Sequence, residues 1–201
     1  MKLSWAVVAG IVGASACATL PEPPGEKKER PISPCALTAS PDGTTLYVAC
    51  ATGGRLQIVD RTARKVIREI SVPLSPSGMV LSGDGSKLYV TCAGPESLLA
   101  TVDLGSGRIL KTVKLGHTAL APVLSADGTK LFVCERFNDR IAVIDLGDRR
   151  EIRHIPVLRE PVALAVRGDG LLVVANHLPA GRSDGTFVAA AVSLVDPAQG
   201  K

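Results

Sequence analysis

The chain has 201 residues, of which 46% are hydrophobic and 3% aromatic, with 20 glycines and 14 prolines spread along its length. This composition is typical of a packed globular chain and excludes a disordered one. The formal net charge of +4 comes from interspersed charges of both signs, and the few aromatic residues lie far apart, so we predict no nucleic-acid partner.

The first segment has the pattern of a secretory leader. Lys2 precedes an apolar run of fourteen residues, from Leu3 to Ala16, that ends in small residues. This run is too short to span a bilayer as a helix. A positive start, a short apolar middle and a small-residue end predict a signal peptide over residues 1–16. We therefore expect an exported protein of the periplasm or the outer cell envelope.

Two kinds of processing fit the end of this leader. Ala14-Ser15-Ala16 satisfies the small-x-small rule for ordinary secretion, whereas Cys17 resembles the cysteine that is lipidated in lipoproteins. Residues 17–33 are rich in proline and charge, which predicts an extended tether. The sequence favours lipidation at Cys17, and membrane attachment through that lipid, over plain secretion or an uncleaved anchor.

The remainder of the chain is an internal repeat. Asp-Gly pairs recur at intervals of 42, 43 and 42 residues, and an apolar pair closed by aspartate recurs in step with them. Runs rich in Val, Ile, Tyr and Thr between these landmarks predict four short strands in each unit. Four-stranded units of this length are typical of β-propeller blades. We predict an all-β fold over residues 34–201, with blades at about 34–75, 76–118 and 119–160 and an incomplete blade at 161–201.

Two repeated residue types have structural interpretations. The aspartates that end the third strands, Asp60, Asp103 and Asp145, are expected to accept N–H bonds in tight turns rather than to act as acids or metal ligands. Tyr47, Tyr89 and Phe132 share one repeat position, and we expect them to pack between blades.

The cysteines leave one alternative open. Cys35 and Cys50 flank the first Asp-Gly turn, and a two-residue loop would place them opposite each other, which would permit a disulfide. Pro41 favours a three-residue loop with a bulge instead, which would send the thiols to opposite faces, so buried free thiols are the favoured interpretation. No closely spaced Cys or His pair predicts a metal site.

One face of the predicted propeller collects the candidate site residues. Loops between the second and third strands, and loops that join blades, share this face, where ligands commonly bind. The aspartates that close the third strands of the last two units, Asp145 and Asp196, are 51 residues apart. This interval is about nine residues longer than the others, so an insertion enlarges the loop after His177. The alternatives are a ligand or partner site and an ordinary solvated loop. The candidate residues are His117, Glu135, Arg136, Asn138, His177, Arg182 and Asp184, whereas His154 in a fourth strand is expected to be structural.

The second-strand segments LYVAC, LYVTC and LFVCE, which begin at Leu46, Leu88 and Leu131, resemble the YVTN-type β-propeller repeats of bacterial envelope proteins. Only Asn176 keeps the terminal asparagine of that motif. From His117 onward the chain is similar to envelope proteins that join such a propeller to a c-type cytochrome or di-haem peroxidase region. Propellers of this type commonly have seven blades, which implies a truncated chain or an N-terminal fragment with an exposed strand edge.

The expected function is that of a non-catalytic binding or scaffold module for an unknown protein or small-molecule ligand. The chain lacks a Cys-x-x-Cys-His sequence, so haem is expected only if a further C-terminal region carries it. The alternative function is a lactonase-like hydrolase, because propeller sites can be assembled from single residues on several blades. No Gly-x-Ser-x-Gly, P-loop or His-Glu-x-x-His motif occurs, and no catalytic residue is assigned.

Overall fold

The computed structural model describes residues 32–147, 152–178 and 190–201. The predicted leader, Cys17, most of the predicted tether, Arg182 and Asp184 lie outside these ranges. Within them, no helix has both the length and the apolar character needed to cross a membrane.

Fifteen strands in the described ranges form four antiparallel sheets, and in each sheet the strands follow one another in chain order, which confirms the all-β prediction. The first strand of each sheet packs against the first strand of the next, so the sheets are arranged as a succession of blades that does not close into a ring. The strands are β1 (Pro34–Ala39), β2 (Thr45–Cys50), β3 (Arg55–Asp60) and β4 (Lys65–Ser71) in blade 1; β5 (Ser75–Leu81), β6 (Lys87–Ala93), β7 (Leu98–Asp103) and β8 (Arg108–Lys114) in blade 2; β9 (Ala119–Leu124), β10 (Lys130–Glu135), β11 (Arg140–Asp145) and β12 (Ile152–Pro156) in blade 3; and β13 (Pro161–Val166), β14 (Leu172–Asn176) and β15 (Ala191–Val195) in blade 4.

The repeated turns are held by local hydrogen bonds. In the first Asp-Gly turn, Asp42 accepts bonds from the Ser40 hydroxyl at 2.5 Å and from the Thr44 N–H at 3.1 Å, while Gly43 takes a φ of +69°. In the next turn, bonds from the hydroxyl of Ser82 and from Ser86 lower the pKa of Asp84 to about 2. Such positive φ angles favour glycine, which explains the recurrence of the pair.

The aspartates that close the third strands have the predicted turn role. Asp60 accepts the N–H of Ala63 at 2.8 Å, and Asp103 accepts the N–H of Ser106 at 2.7 Å. The same bond recurs between Asp145 and Gly147 at 2.8 Å. These bonds confirm that the three carboxylates have structural partners in their own turns.

The hydrophobic core lies between blades. Tyr47 packs into the cluster that joins blades 1 and 2, Tyr89 into the cluster that joins blades 2 and 3, and Phe132 into the cluster that joins blades 3 and 4. All three rings are buried, as their shared repeat position predicts. Burial on both faces explains why the second strands are apolar at almost every position.

The arginines of two fourth strands connect neighbouring blades. The guanidinium of Arg68 in β4 donates to the carbonyls of Leu104 and Ser106 in the turn of blade 2, the first at 3.1 Å. Arg153 occupies the corresponding position in β12 and donates to the carbonyl of Pro197 in blade 4. A side chain at this one position therefore holds the outer part of the interface between blades.

The described residues leave two blade faces uncovered. Val192 and Leu194 in blade 4 are 69% and 58% exposed, whereas Leu56 and Ile58, at the same repeat positions in blade 1, are 0% and 6% exposed. Leu37 on the opposite face of blade 1 is also exposed. These faces carry the residue types that the other blades bury against a neighbour.

The disulfide considered for Cys35 and Cys50 does not form, and both thiols are free. The turn is neither of the two predicted loops, because Ser40 and Thr45 pair and leave four residues between them. The register would then place Cys35 opposite Cys50, but a bulge in β1 pairs Pro34 with Cys50 instead. Cys50 is buried as predicted, but the prediction is wrong for Cys35, which is exposed and donates its S–H to the carbonyl of Pro76 in the next blade at 3.0 Å.

Burial makes two further free thiols unreactive. Cys92 and Cys134 are fully buried, and desolvation raises the pKa of Cys92 to about 11 and that of Cys134 to about 12. The thiolate is the reactive form of cysteine, so both residues act as small apolar side chains.

Candidate ligand- and partner-binding face

The candidate face is built around the loop between the second and third strands of blade 3. Strand β10 ends at Glu135, a single 3₁₀ turn spans Arg136–Asn138, and Asp139 takes a left-handed φ of 52° before β11 begins. The two segments that join blade 3 to its neighbours, residues 115–118 and 157–160, lie against this loop. We call these segments, together with His177, the loop face.

Glu135 is the buried centre of the loop face. Its side chain is fully buried and its Oε1 accepts the N–H of Gly116 at 2.6 Å. Its Oε2 forms an ion pair with the guanidinium of Arg140 and lies 3.6 Å from Nε2 of His154. Arg140 and His154 are themselves about one third exposed, so the groups that face the buried Glu135 carboxylate keep part of their contact with water.

Gly116 allows the blade-joining segment to approach this carboxylate. A Cβ atom at Gly116 would collide with the amide oxygen of Asn138 and the carboxylate of Glu135, so a larger residue would displace these two side chains. The amide oxygen of Asn138 accepts the next N–H along the chain, that of His117, at 2.6 Å. Two side chains of the β10–β11 loop therefore fix two successive N–H groups of the segment between blades 2 and 3.

A second ion pair joins blade 3 to blade 4. Arg136 Nη2 lies 2.7 Å from Oε2 of Glu160, and the same nitrogen lies 3.2 Å from Nδ1 of His177. Arginine can only donate, so the second contact is a hydrogen bond when His177 Nδ1 carries no proton. Asp139 completes the connection by accepting the N–H of Glu160 at 2.8 Å.

Phe137 projects from this polar frame into solvent. Its ring is 52% exposed at the tip of the 3₁₀ turn. The His117 ring meets it edge-on with centroids 5.1 Å apart, and the Arg136 guanidinium lies 4.9 Å from the ring centroid. Aromatic and arginine side chains held in this way are typical of the residues that dominate binding at protein surfaces.

The structure thus brings together five of the seven candidate residues, namely His117, Glu135, Arg136, Asn138 and His177. Phe137, Glu160 and His154 join them although they were not candidates. Glu135 stands where the YVTN motif has asparagine, at the end of a strand that was expected to be buried. This replacement was the available signal for the site, because a buried carboxylate requires a cation nearby.

The chemistry of the loop face favours recognition. The carboxylates of Glu135 and Glu160 each accept from a guanidinium. The exposed residues of the loop face are Phe137, Asn138, Arg159 and His177. Among the described residues, no group of three or more His, Cys, Asp or Glu side chains is arranged to hold a metal ion. A cavity of about 540 Å³ lies elsewhere, on the Asp-Gly side of blades 3 and 4 beside Asp127 and Arg153.

Consecutive four-stranded antiparallel sheets that pack face to face define the chain as a β-propeller protein. The chain is similar to a solved structure of Kuenenia stuttgartiensis hydrazine synthase, with a TM-score of 0.75 and 26% sequence identity. The match covers 88% of this chain and 49% of that one, so the chain spans about half the length of the similar structure. No protein-family model and no curated protein matches the sequence.

Proposed function

We propose that the chain is an exported, lipid-anchored β-propeller module of the cell envelope that binds a protein partner through the loop face. The single observation that carries the binding role is the half-exposed Phe137 ring in contact with Arg136 and His117. A projecting, half-exposed aromatic side chain suits a protein partner better than a small molecule, which usually requires a concave site.

The proposal also includes the larger protein to which the module belongs. The resemblance of the repeats to YVTN-type propellers supports a propeller segment of a cytochrome c or peroxidase type of envelope protein. The likeness to part of a hydrazine synthase chain agrees with a propeller that serves a larger enzyme. Haem chemistry in such a protein would be performed by a region other than these repeats.

Cross-linking in the cells that make the protein tests the binding role. We expect a photoreactive phenylalanine at position 137 to give a discrete cross-linked product, because this ring would lie at the centre of the contact. The same probe at Ala126, which is exposed on the Asp-Gly side of blade 3, is the matched control. Arg136→Ala should remove the product at position 137. Equal cross-linking at positions 126 and 137, or none at 137, would contradict the proposed face.

Detergent-phase partitioning tests the anchor. We expect the wild-type protein to enter the detergent phase and Cys17→Ser to remain in the aqueous phase, because only a diacylated cysteine would carry enough apolar surface to hold the chain there. Metabolic labelling with a fatty acid, followed by mass spectrometry of the N-terminal peptide, identifies the modification. Equal partitioning of both proteins into the aqueous phase would remove the lipid from the proposal.

A further inference from the structure

The outer edges of blades 1 and 2 share an unusual combination of features. Their fourth strands, β4 and β8, each contain a bulge that leaves one residue without a partner in the neighbouring strand. The extra residue is Ile67 in β4 and Leu110 in β8, and these side chains are 61% and 57% exposed. The described part of β12, in blade 3, pairs with β11 without a register shift. We call residues 61–71 and 104–114 the basic edge.

Positive charge surrounds both exposed side chains. Residues 60–71 contain four basic and two acidic side chains, and residues 103–114 contain three basic and one acidic. The surplus of four positive charges in these two segments equals the formal net charge of the whole chain. None of the seven basic side chains forms an ion pair with a described carboxylate. They are Arg61, Arg64, Lys65, Arg68, Arg108, Lys111 and Lys114.

Protection of an edge strand explains only part of this pattern. Bulges and lysines do prevent edge-to-edge pairing of sheets. That purpose gives no reason to place an isoleucine and a leucine at the bulges, where each side chain faces water. Separate apolar side chains surrounded by positive charges suit a surface that has negatively charged groups on the outside and an apolar layer directly beneath them.

We propose that the basic edge lies on the anionic lipid surface of the membrane, with Ile67 and Leu110 inserted among the headgroups. The seven cations match the negative surface potential of such a bilayer. A protein partner would instead favour a continuous apolar patch with a dry centre, which the three exposed apolar side chains of these strands, Val66, Ile67 and Leu110, do not supply. The inference rests on the proposed envelope location, because a lipid at Cys17 would keep the basic edge close to the bilayer.

Vesicle sedimentation of the Cys17→Ser protein tests this contact without the contribution of the lipid anchor. The protein is expressed with its own leader and purified after export. We expect it to sediment with phosphatidylcholine vesicles that contain about 30% phosphatidylglycerol and not with phosphatidylcholine alone. Lys65→Glu with Arg108→Glu should weaken the binding by about tenfold or more, and Ile67→Ser with Leu110→Ser should weaken it while the net charge is unchanged.

The matched control reverses two exposed charges outside the basic edge, Lys130→Glu with Lys201→Glu, and should bind vesicles far better than the edge variant of equal net charge. Equal loss in the charge-reversed edge variant and in this control would overturn the proposal, as would absence of vesicle binding by the Cys17→Ser parent. Retention on polyglutamate without vesicle binding would assign the edge to an acidic protein instead. Circular dichroism checks that each variant is folded. Mass spectrometry checks that residues 1–16 have been removed from the purified protein. Absence of a lipid on the wild-type protein would contradict the proposed anchor and leave this comparison of matched variants valid.

Discussion

Replacement of Glu135 by alanine is expected to lower the free energy of unfolding by about 2–3 kcal/mol, at or just below the range of about 3–5 kcal/mol for breaking a buried ion pair. The substitution leaves the N–H of Gly116 without its acceptor and Arg140 without its carboxylate. The cost stays below that of a fully buried pair because Arg140 and His154 can turn toward water. Denaturant unfolding measured by circular dichroism gives the change directly.

Two further variants separate the contributions to this effect. Glu135→Gln keeps an acceptor for the N–H of Gly116 but removes the charge. We therefore expect its free energy of unfolding to lie between those of the wild type and of Glu135→Ala. Asp169→Asn removes one partner of the exposed pair with Arg167 and should leave the denaturation midpoint unchanged. A Glu135→Ala protein as stable as wild type would show that the buried carboxylate contributes nothing to the junction of blades 2 and 3.

The repeat was predictable from sequence because its determinants are local. The Asp-Gly pair fixes each hairpin through bonds within a few residues, as Asp42 does with Ser40 and Thr44. The bulge at Cys35 depends instead on the next blade, since the thiol bonds to Pro76 in β5. Ser77 repeats this contact with Ala119 at 2.6 Å. A hydrogen bond between blades cannot be recognised from the spacing of residues in the sequence, so the strand register at Cys35 was not predictable.

The candidate site was only partly predictable for the same reason. The three histidines belong to different segments of the sequence, but the curvature of the blades brings His117, His154 and His177 to the groups around Glu135 and Glu160. His154 lies in an outer strand that gives no signal of this proximity. His154 reaches Glu135 through the pairing of three strands. Strand β12 pairs with β11, and Arg140, the first residue of β11, pairs with Glu135 in β10.

Leu131→Ala is expected to cost about 3 kcal/mol, within the usual range for truncation of a fully buried leucine. Leu131 is 0% exposed and packs in the cluster between blades 2 and 3. Leu46 is the ideal control because it holds the same repeat position in blade 1, where it is only partly buried and no described blade precedes it. Leu46→Ala should therefore lower the free energy of unfolding by only about 1 kcal/mol, because folding buries less apolar surface at that site.

This comparison isolates the contribution of contact between blades. Both leucines begin the same motif and pair with the same kind of strand neighbours, Val59 for Leu46 and Ile144 for Leu131. In a repeat protein, stability is close to a sum of the stabilities of the units and of the interfaces between them, so the difference between the two losses measures one leucine's share of an interface. Hydrogen exchange should locate the effect, with Leu131→Ala increasing exchange in β6 and β10 together and Leu46→Ala increasing it in blade 1 alone. Equal losses at both positions would mean that the blades are stabilised within their own sheets, and the propeller would then owe little of its stability to the packing of one blade on the next.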